Sequence, residues 1–203
     1  MSTFWTLERT AALLNRAAGR RKGLPHLLFF TDPARTPDAC AIAETLPRGA
    51  AIVFRAFGAA DAEAQALRLK AIARRRGLKL LIGADAQLAA RIRADGVHLP
   101  ERLAANSRRL KAAHLRWIVT CAAHSLQAAR RAGAFGADAA VVSAVFASRS
   151  PSAGAPIGPL RLAPLVRAAG LPAYALGGIN NKTARRLKDA GLVGLAGVEG
   201  LRT

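Results

Sequence analysis

Cysteine is nearly absent from this chain: Cys40 and Cys121 are the only two, and neither has a neighbour at CxxC spacing. This excludes a disulfide framework and leaves little room for thiol-based metal or redox chemistry. Aromatic residues make up only 5%, so the core must be built from Ala, Leu, Val and Ile, which suits layered strands and helices better than an aromatic-rich sandwich. Long apolar runs are missing as well. None reaches the roughly 18 residues of a membrane span, and residues 1–24 lack the apolar stretch of about 7 to 15 residues of a secretory signal. A cytoplasmic protein with no membrane partner is expected. Acidic residues are scarce, 12 against 31 Lys and Arg, for a net charge of +19. A field of that sign draws anions. No zinc-ligand spacing, helix-turn-helix signature or stacking-aromatic platform accompanies it, which disfavours nucleic acid as the partner. Much of the basic charge falls at helical spacing, as in Arg74, Arg75 and Arg76 or Arg108, Arg109 and Lys111, and reads as a solvated outer face. The remaining attraction is for a phosphorylated metabolite.

From Leu27 onward, short apolar runs alternate with segments of helical period, the pattern of βα units around a parallel sheet. Eight strands are predicted, at Leu27–Thr31, Ala50–Arg55, Leu78–Ile82, Gly96–Leu99, Trp117–Cys121, Ala139–Ser143, Ala173–Leu176 and Val193–Gly197. Helices are predicted near 37–46, 60–76, 85–93, 105–113, 125–134, 158–169 and 180–190. Ala94-Asp95-Gly96-Val97 and Gly136-Ala137-Asp138-Ala139 repeat one αβ turn, with Gly191-Leu192-Val193-Gly194 a looser copy. Such uniform units point to a closed (β/α)8 TIM barrel of α/β class over residues 25–203. An open doubly wound sheet fits less well because no Gly-x-Gly-x-x-Gly follows the first strand. Residues 1–24 form a basic helical extension, with a helix around Leu7–Ala18.

In such a barrel, groups at the strand C-termini converge on one mouth, and phosphates bind near the loops after the seventh and eighth strands. Gly177 and Gly178 close the seventh strand, where a backbone without Cβ can approach a ligand and the N–H groups opening the next helix carry partial positive charge. Asn180 suits an N-cap there. After the eighth strand, Val198, Glu199 and Gly200 supply further backbone donors, although the Glu199 carboxylate must point away from a phosphate. The long loop 144–159, rich in Ser, Gly and Pro, brings Ser148 and Arg149 as clamps for phosphate oxygens, just beyond Ser143. Arg55, at the end of the second strand, needs an anionic ligand or an internal carboxylate. His98 is either a barrel-interior residue or a proton carrier, and His124 either caps a helix or faces the ligand.

Four stretches in order carry a resemblance: Ala94 to Pro100 (ADGVHLP), Ala123 to Ala129 (AHSLQAA), Gly136-Ala137-Asp138 leading to Ser143 to Phe146 (SAVF), and Ala175 to Ile179 (ALGGI). On these the chain resembles the thiamine phosphate synthase and TenI-like superfamily across about residues 25–202. The resemblance implies a (β/α)8 barrel, a thiazole-phosphate ligand and a role in thiamine biosynthesis. Its synthase branch couples a pyrimidine diphosphate to the thiazole phosphate with Mg²⁺, using an Asn-Asp-Arg stretch after the third strand and an acidic residue after the fourth. Here those places read Gly83-Ala84-Asp85 and Pro100-Glu101-Arg102-Leu103, and of a Gln-x-Arg-x-Lys pattern in the second strand only Arg55 remains. The TenI-like branch is a metal-independent thiazole tautomerase, and its resemblance makes His124 the proton relay. The expectation is therefore a TenI-like isomerase without metal or cofactor. Its phosphate site comprises Arg55, Ser143, Ser148, Arg149, Gly177, Gly178, Val198, Glu199 and Gly200. A divergent Mg²⁺-dependent synthase and a non-catalytic phosphate-binding barrel are the alternatives, and a homodimer is left open.

Overall fold

A computed structural model of the chain describes residues 3–19, 23–148 and 154–199. Eight parallel strands close into a barrel in sequence order: β1 (Leu27–Phe30), β2 (Ala51–Phe54), β3 (Lys79–Gly83), β4 (Gly96–Leu99), β5 (Ile118–Ala123), β6 (Ala139–Val142), β7 (Ala173–Ala175) and β8 (Gly194–Gly197). Closure comes from β8 pairing with β1, with Leu27 opposite Leu195 and Phe29 opposite Gly197. All eight predicted strands are present. Alternation along each strand splits the apolar residues into two layers. Leu28, Phe30, Val53, Leu81, Val141 and Tyr174 fill the barrel, while Leu27, Phe29, Ile52, Leu80 and Val142 face the helices.

The outer wall consists of α2 (Ala39–Thr45), α3 (Ala62–Arg76), α4 (Ala86–Arg91), α5 (Ser107–Ala113), α6 (Leu126–Ala134), α7 (Pro159–Ala169) and α8 (Asn181–Ala184). Helix α3 shows why these segments are helical. Ala66, Leu69, Ile72 and Ala73 fall on one buried stripe, and Arg74, Arg75 and Arg76 complement the C-terminal dipole. Gly77 stops it in the left-handed region, its N–H donating to the Ala73 carbonyl. The helix expected over 180–190 is much shorter, since after the four residues of α8 the chain tightens into a 3-10 turn at Arg185–Leu187. A longer helix, α1 (Thr3–Ala17), packs beside it against β8 and β1. Leu7, Ala11 and Leu14, spaced i, i+4, i+7, are buried there, and Asn15 Nδ2 donates to the Val193 carbonyl at 2.8 Å.

The repeated Asp turns are strand clamps on the side away from the mouth. Asp95, just before β4, donates its N–H to the Leu80 carbonyl of β3 while its Oδ2 accepts the Leu80 N–H at 2.9 Å. Asp138, before β6, does the same to Val119 of β5, with Oδ2 at 2.8 Å from the Val119 nitrogen. Lys70 and Lys79 neutralise Asp95, and Lys111 neutralises Asp138. These bonds and charges hold the Asp95 carboxyl below its ordinary range against the desolvation that would raise it. Replacing Asp138 with Ala leaves the buried Val119 N–H without an acceptor, so it should lower the unfolding free energy by about 2 kcal/mol. The readout is a urea midpoint that falls at unchanged m-value, whereas Asp61→Ala on the exposed start of α3 should stay within about 0.5 kcal/mol.

Candidate active site at the barrel mouth

The strand C-termini surround a cavity of about 1120 Å³. Its floor is the top of the barrel filling, formed by Phe30 and His98. His98 is buried, its Nδ1 lies 2.9 Å from Thr120 Oγ1, and its ring meets Phe30 edge-on at 4.9 Å. This is the interior alternative of the two weighed for it. Desolvation, helped by the nearby Arg55 charge, pushes its pKa down to about 3, so the imidazole is neutral near pH 7.

On the β1–β2 side, Arg55 leaves the strand end and folds back over the mouth. Its Nε donates to the Thr31 carbonyl at 2.8 Å, and its Nη2 lies 3.3 Å from Asp32 Oδ2. Its Cζ sits 5.6 Å from the Phe30 ring centroid and 4.9 Å from that of Phe57. Asp32 also binds Arg35 through Nη2 at 2.7 Å and Nε at 3.1 Å, and its Oδ1 accepts the amides of Ala34 and Arg35. The hydrogen bond from Arg35 is the main influence keeping the Asp32 carboxyl below its usual range. Burial lowers the pKa of Arg55, and Asp32 opposes that shift. Gly83 makes room for this arginine, since a Cβ there would stand 3.1 Å from Arg55 Cγ.

Across the mouth, Gly177 (φ 96°) and Gly178 (φ 63°) form the turn after β7. Their conformation and lack of Cβ serve packing first: a Cβ on Gly178 would lie 2.4 Å from the Ala147 carbonyl oxygen. The N–H groups of Gly177 and Gly178 have no acceptor among the described residues. The amides opening α8 are different, because Asn180 Oδ1 accepts from Lys182 and Thr183 in a capping box. Two of the amides at this helix start are therefore taken up within the chain. Ser143, Ala147, Ser148, Val198 and Glu199 line the same wall. Ser148 and Glu199 are both partnered. Arg149 and Gly200 lie outside the described residues.

His124 stands on the rim at the start of the turn after β5, its side chain 57% exposed. Its Nδ1 is 2.9 Å from Glu101 Oε2, which also accepts the His124 N–H, while Glu101 Oε1 takes Arg131 at 3.1 Å. Asp85 caps α4, its Oδ1 accepting the Leu88 N–H. The Mg²⁺ implied for a synthase finds no matching donor set here. Ala84 offers a methyl group where a carboxylate would stand, and no group of three His, Cys, Asp or Glu side chains among the described residues could hold a metal.

Asp32, Arg35, Phe57 and Arg102 were not singled out by sequence reasoning, although Arg35, Phe57 and Arg102 line the cavity and Asp32 holds two of its arginines. The available signal was position, because each lies within a few residues of a β1, β2 or β4 C-terminus. Phe57 is exposed with φ 48°, an uncommon conformation for a bulky residue.

Fold and cavity together define a closed α/β barrel whose polar groups converge on the C-terminal mouth. The profile described as Thiamine monophosphate synthase matches residues 27–201, and the chain belongs to that family. It is 35% identical over 185 residues to the thiamine-phosphate synthase of Marinobacter nauticus, covering 87% of this chain and 82% of that one. With the thiamine-phosphate synthase of Chromobacterium violaceum it shares 38% over 141 residues, 68% and 66% of the two chains. The thiamine phosphate pyrophosphorylase structure from Pyrococcus furiosus superposes with a TM-score of 0.69 at 25% identity, covering 84% and 83%. These synthase and pyrophosphorylase names overturn the expectation of a TenI-like tautomerase as the chain's activity.

Because the fold holds His98 neutral, protonation favours the unfolded chain. Stability from this group is fully present above pH 6.5 and is lost as the pH falls toward 3. Wild type should lose up to about 1.4 kcal/mol per pH unit more than His98→Asn in that window. Urea unfolding of both proteins across the range checks the difference.

Proposed function

We propose that this protein is a thiamine-phosphate synthase-type transferase that joins a pyrimidine diphosphate to a thiazole phosphate. The observation that carries the reading is one cavity with two anion-seeking ends: the N–H groups of Gly177 and Gly178 on one wall and the Arg55 guanidinium on the other. In this reading the thiazole phosphate sits at the glycine turn. Ser143 and Ser148 add hydroxyl donors and Val198 and Glu199 border it, with Arg149 and Gly200 assigned to the same set from the sequence alone. The pyrimidine diphosphate lies toward Arg55, over the neutral His98. In the transfer, the C–O bond between the pyrimidine's methylene carbon and the diphosphate breaks, with the electron pair leaving on diphosphate. The thiazole nitrogen lone pair forms the new C–N bond to that carbon. The residues' contribution is to bring two anions together and to stabilise the charge that develops on the departing one.

A second reading, a phosphate-binding barrel without turnover, is favoured by Ala84 standing where the resemblance places a carboxylate. Incubation with both substrates separates the two. Thiamine phosphate should appear, and Ser143→Ala should weaken thiazole-phosphate binding about fivefold. Thermal stabilisation by thiazole phosphate without product would favour the second reading, and neither stabilisation nor product would sink both.

A further inference from the structure

The acidic side chains around the mouth are all committed to the protein itself. Asp32 is shared by Arg35 and Arg55 and by two backbone amides. Asp85 caps α4, Glu101 bridges His124 and Arg131, and Glu199 is also partnered. A divalent ion that needs several carboxylate oxygens at short range would have to break one of these arrangements. The cations of the same mouth are placed differently. Arg55 is largely buried, its side chain 26% exposed, and uses only Nε and Nη2 on Thr31 and Asp32. Its Nη1 has no acceptor among the described residues, and the residue lines the cavity. Arg102, in the turn after β4, lines the cavity too, is exposed, and has no ion-pair partner among the described residues. Arg35 lines the same cavity and shares Asp32 with Arg55. The glycine at position 83 and the alanine at 84 leave the end of β3 without a polar side chain, and the Arg55 stem packs against the first of them.

We propose that this mouth takes the diphosphate group of its substrate on the guanidinium groups of Arg55 and Arg102, flanked by Arg35, without a divalent metal ion. The guanidinium fork matches phosphate oxygens bidentately and carries its charge at every working pH. Arg55 is held in a half-desolvated position by Asp32 and by rings on two sides, so it needs little reorganisation as charge builds on the leaving diphosphate. The inference rests on the transferase reading for its substrate, while its claim about metal stands apart from turnover.

Isothermal titration of the whole protein with inorganic diphosphate, first in EDTA and then in excess Mg²⁺, tests it. Binding should be present in EDTA and no tighter in Mg²⁺. Arg102→Ala and Arg55→Lys should each weaken it about tenfold. Arg109→Ala, on the exposed face of α5, removes the same charge from the +19 total and should leave affinity unchanged, which separates a built site from the general field. Arg55→Lys can disturb the fold through Asp32, but Arg102 is exposed and has no ion-pair partner among the described residues, so its variant remains decisive. Diphosphate binding seen only with Mg²⁺, or equal weakening by Arg102→Ala and Arg109→Ala, overturns the proposal. Metal-free binding through Arg102 with no thiamine phosphate formed would leave it standing and remove the transferase reading. Product formation only with Mg²⁺, alongside metal-dependent binding, would do the reverse.

Discussion

Pairing of β8 with β1 is the constraint on which the molecule depends, because a closed parallel ladder leaves no edge and sends eight strand C-termini to one end. Closure also decides what fills the middle. Leu28, Phe30, Val53, Leu81 and Tyr174 plug the barrel, so a ligand cavity can open only above them. Tyr174 shows how tightly the plug is tied down: its buried hydroxyl donates to the Pro25 carbonyl at 2.6 Å. At Gly194, opposite Tyr174 in the ladder, a Cβ would lie 2.3 Å from the His26 carbonyl oxygen, so only glycine lets β8 come that close to the entry of β1. The Asp95 and Asp138 clamps reinforce the same end, which leaves the other end to be shaped by loops.

Electrostatically the mouth is divided. On the β1–β2 side one carboxylate, Asp32, anchors two arginines; the hydrogen bond and charge of Arg35 hold its pKa down against burial, while burial, helped by the Arg55 charge, keeps the His98 imidazole neutral. On the β7 side there are no formal charges among the wall residues from Leu176 to Asn180, only backbone amides and small side chains. An anion can therefore be met in two ways in one cavity, by fixed guanidinium charge and by oriented peptide dipoles. The rim between them is held by Glu101, which ties the turn after β4 to His124 after β5 and to Arg131 of α6.

The strands were legible because short apolar runs bounded by turn residues leave few alternatives, and all eight are found within a residue or two of their expected bounds. The repeated Asp was visible as a pattern, but its work as a two-bond clamp to the preceding strand depends on register, which a single sequence does not display. The length of α8 was misread because helical period continues past Ala184, while the backbone there tightens into a 3-10 turn beside α1. Gly177, Gly178 and Arg55 were singled out from their places at strand ends and Ser143 from the motif of the resemblance, and all four line the cavity. The activity was read wrongly because the departures at Gly83-Ala84-Asp85 and the His124 segment were taken to mark one branch of the superfamily, while the relatives in Marinobacter nauticus and Chromobacterium violaceum are thiamine-phosphate synthases.

Sequence alone determined the barrel, its strand order and its family, since period, turn chemistry and motif order are local properties that survive without coordinates. Tertiary structure decided which charges are available. Arg55 and Asp32 are 23 residues apart and meet only because β1 and β2 are paired. Glu101 is withdrawn from the cavity by His124 and Arg131, which lie 23 and 30 residues away. A charge's chemistry depends on its neighbours and on its exposure to water, and in a barrel those neighbours come from adjacent strands rather than from adjacent positions in the chain.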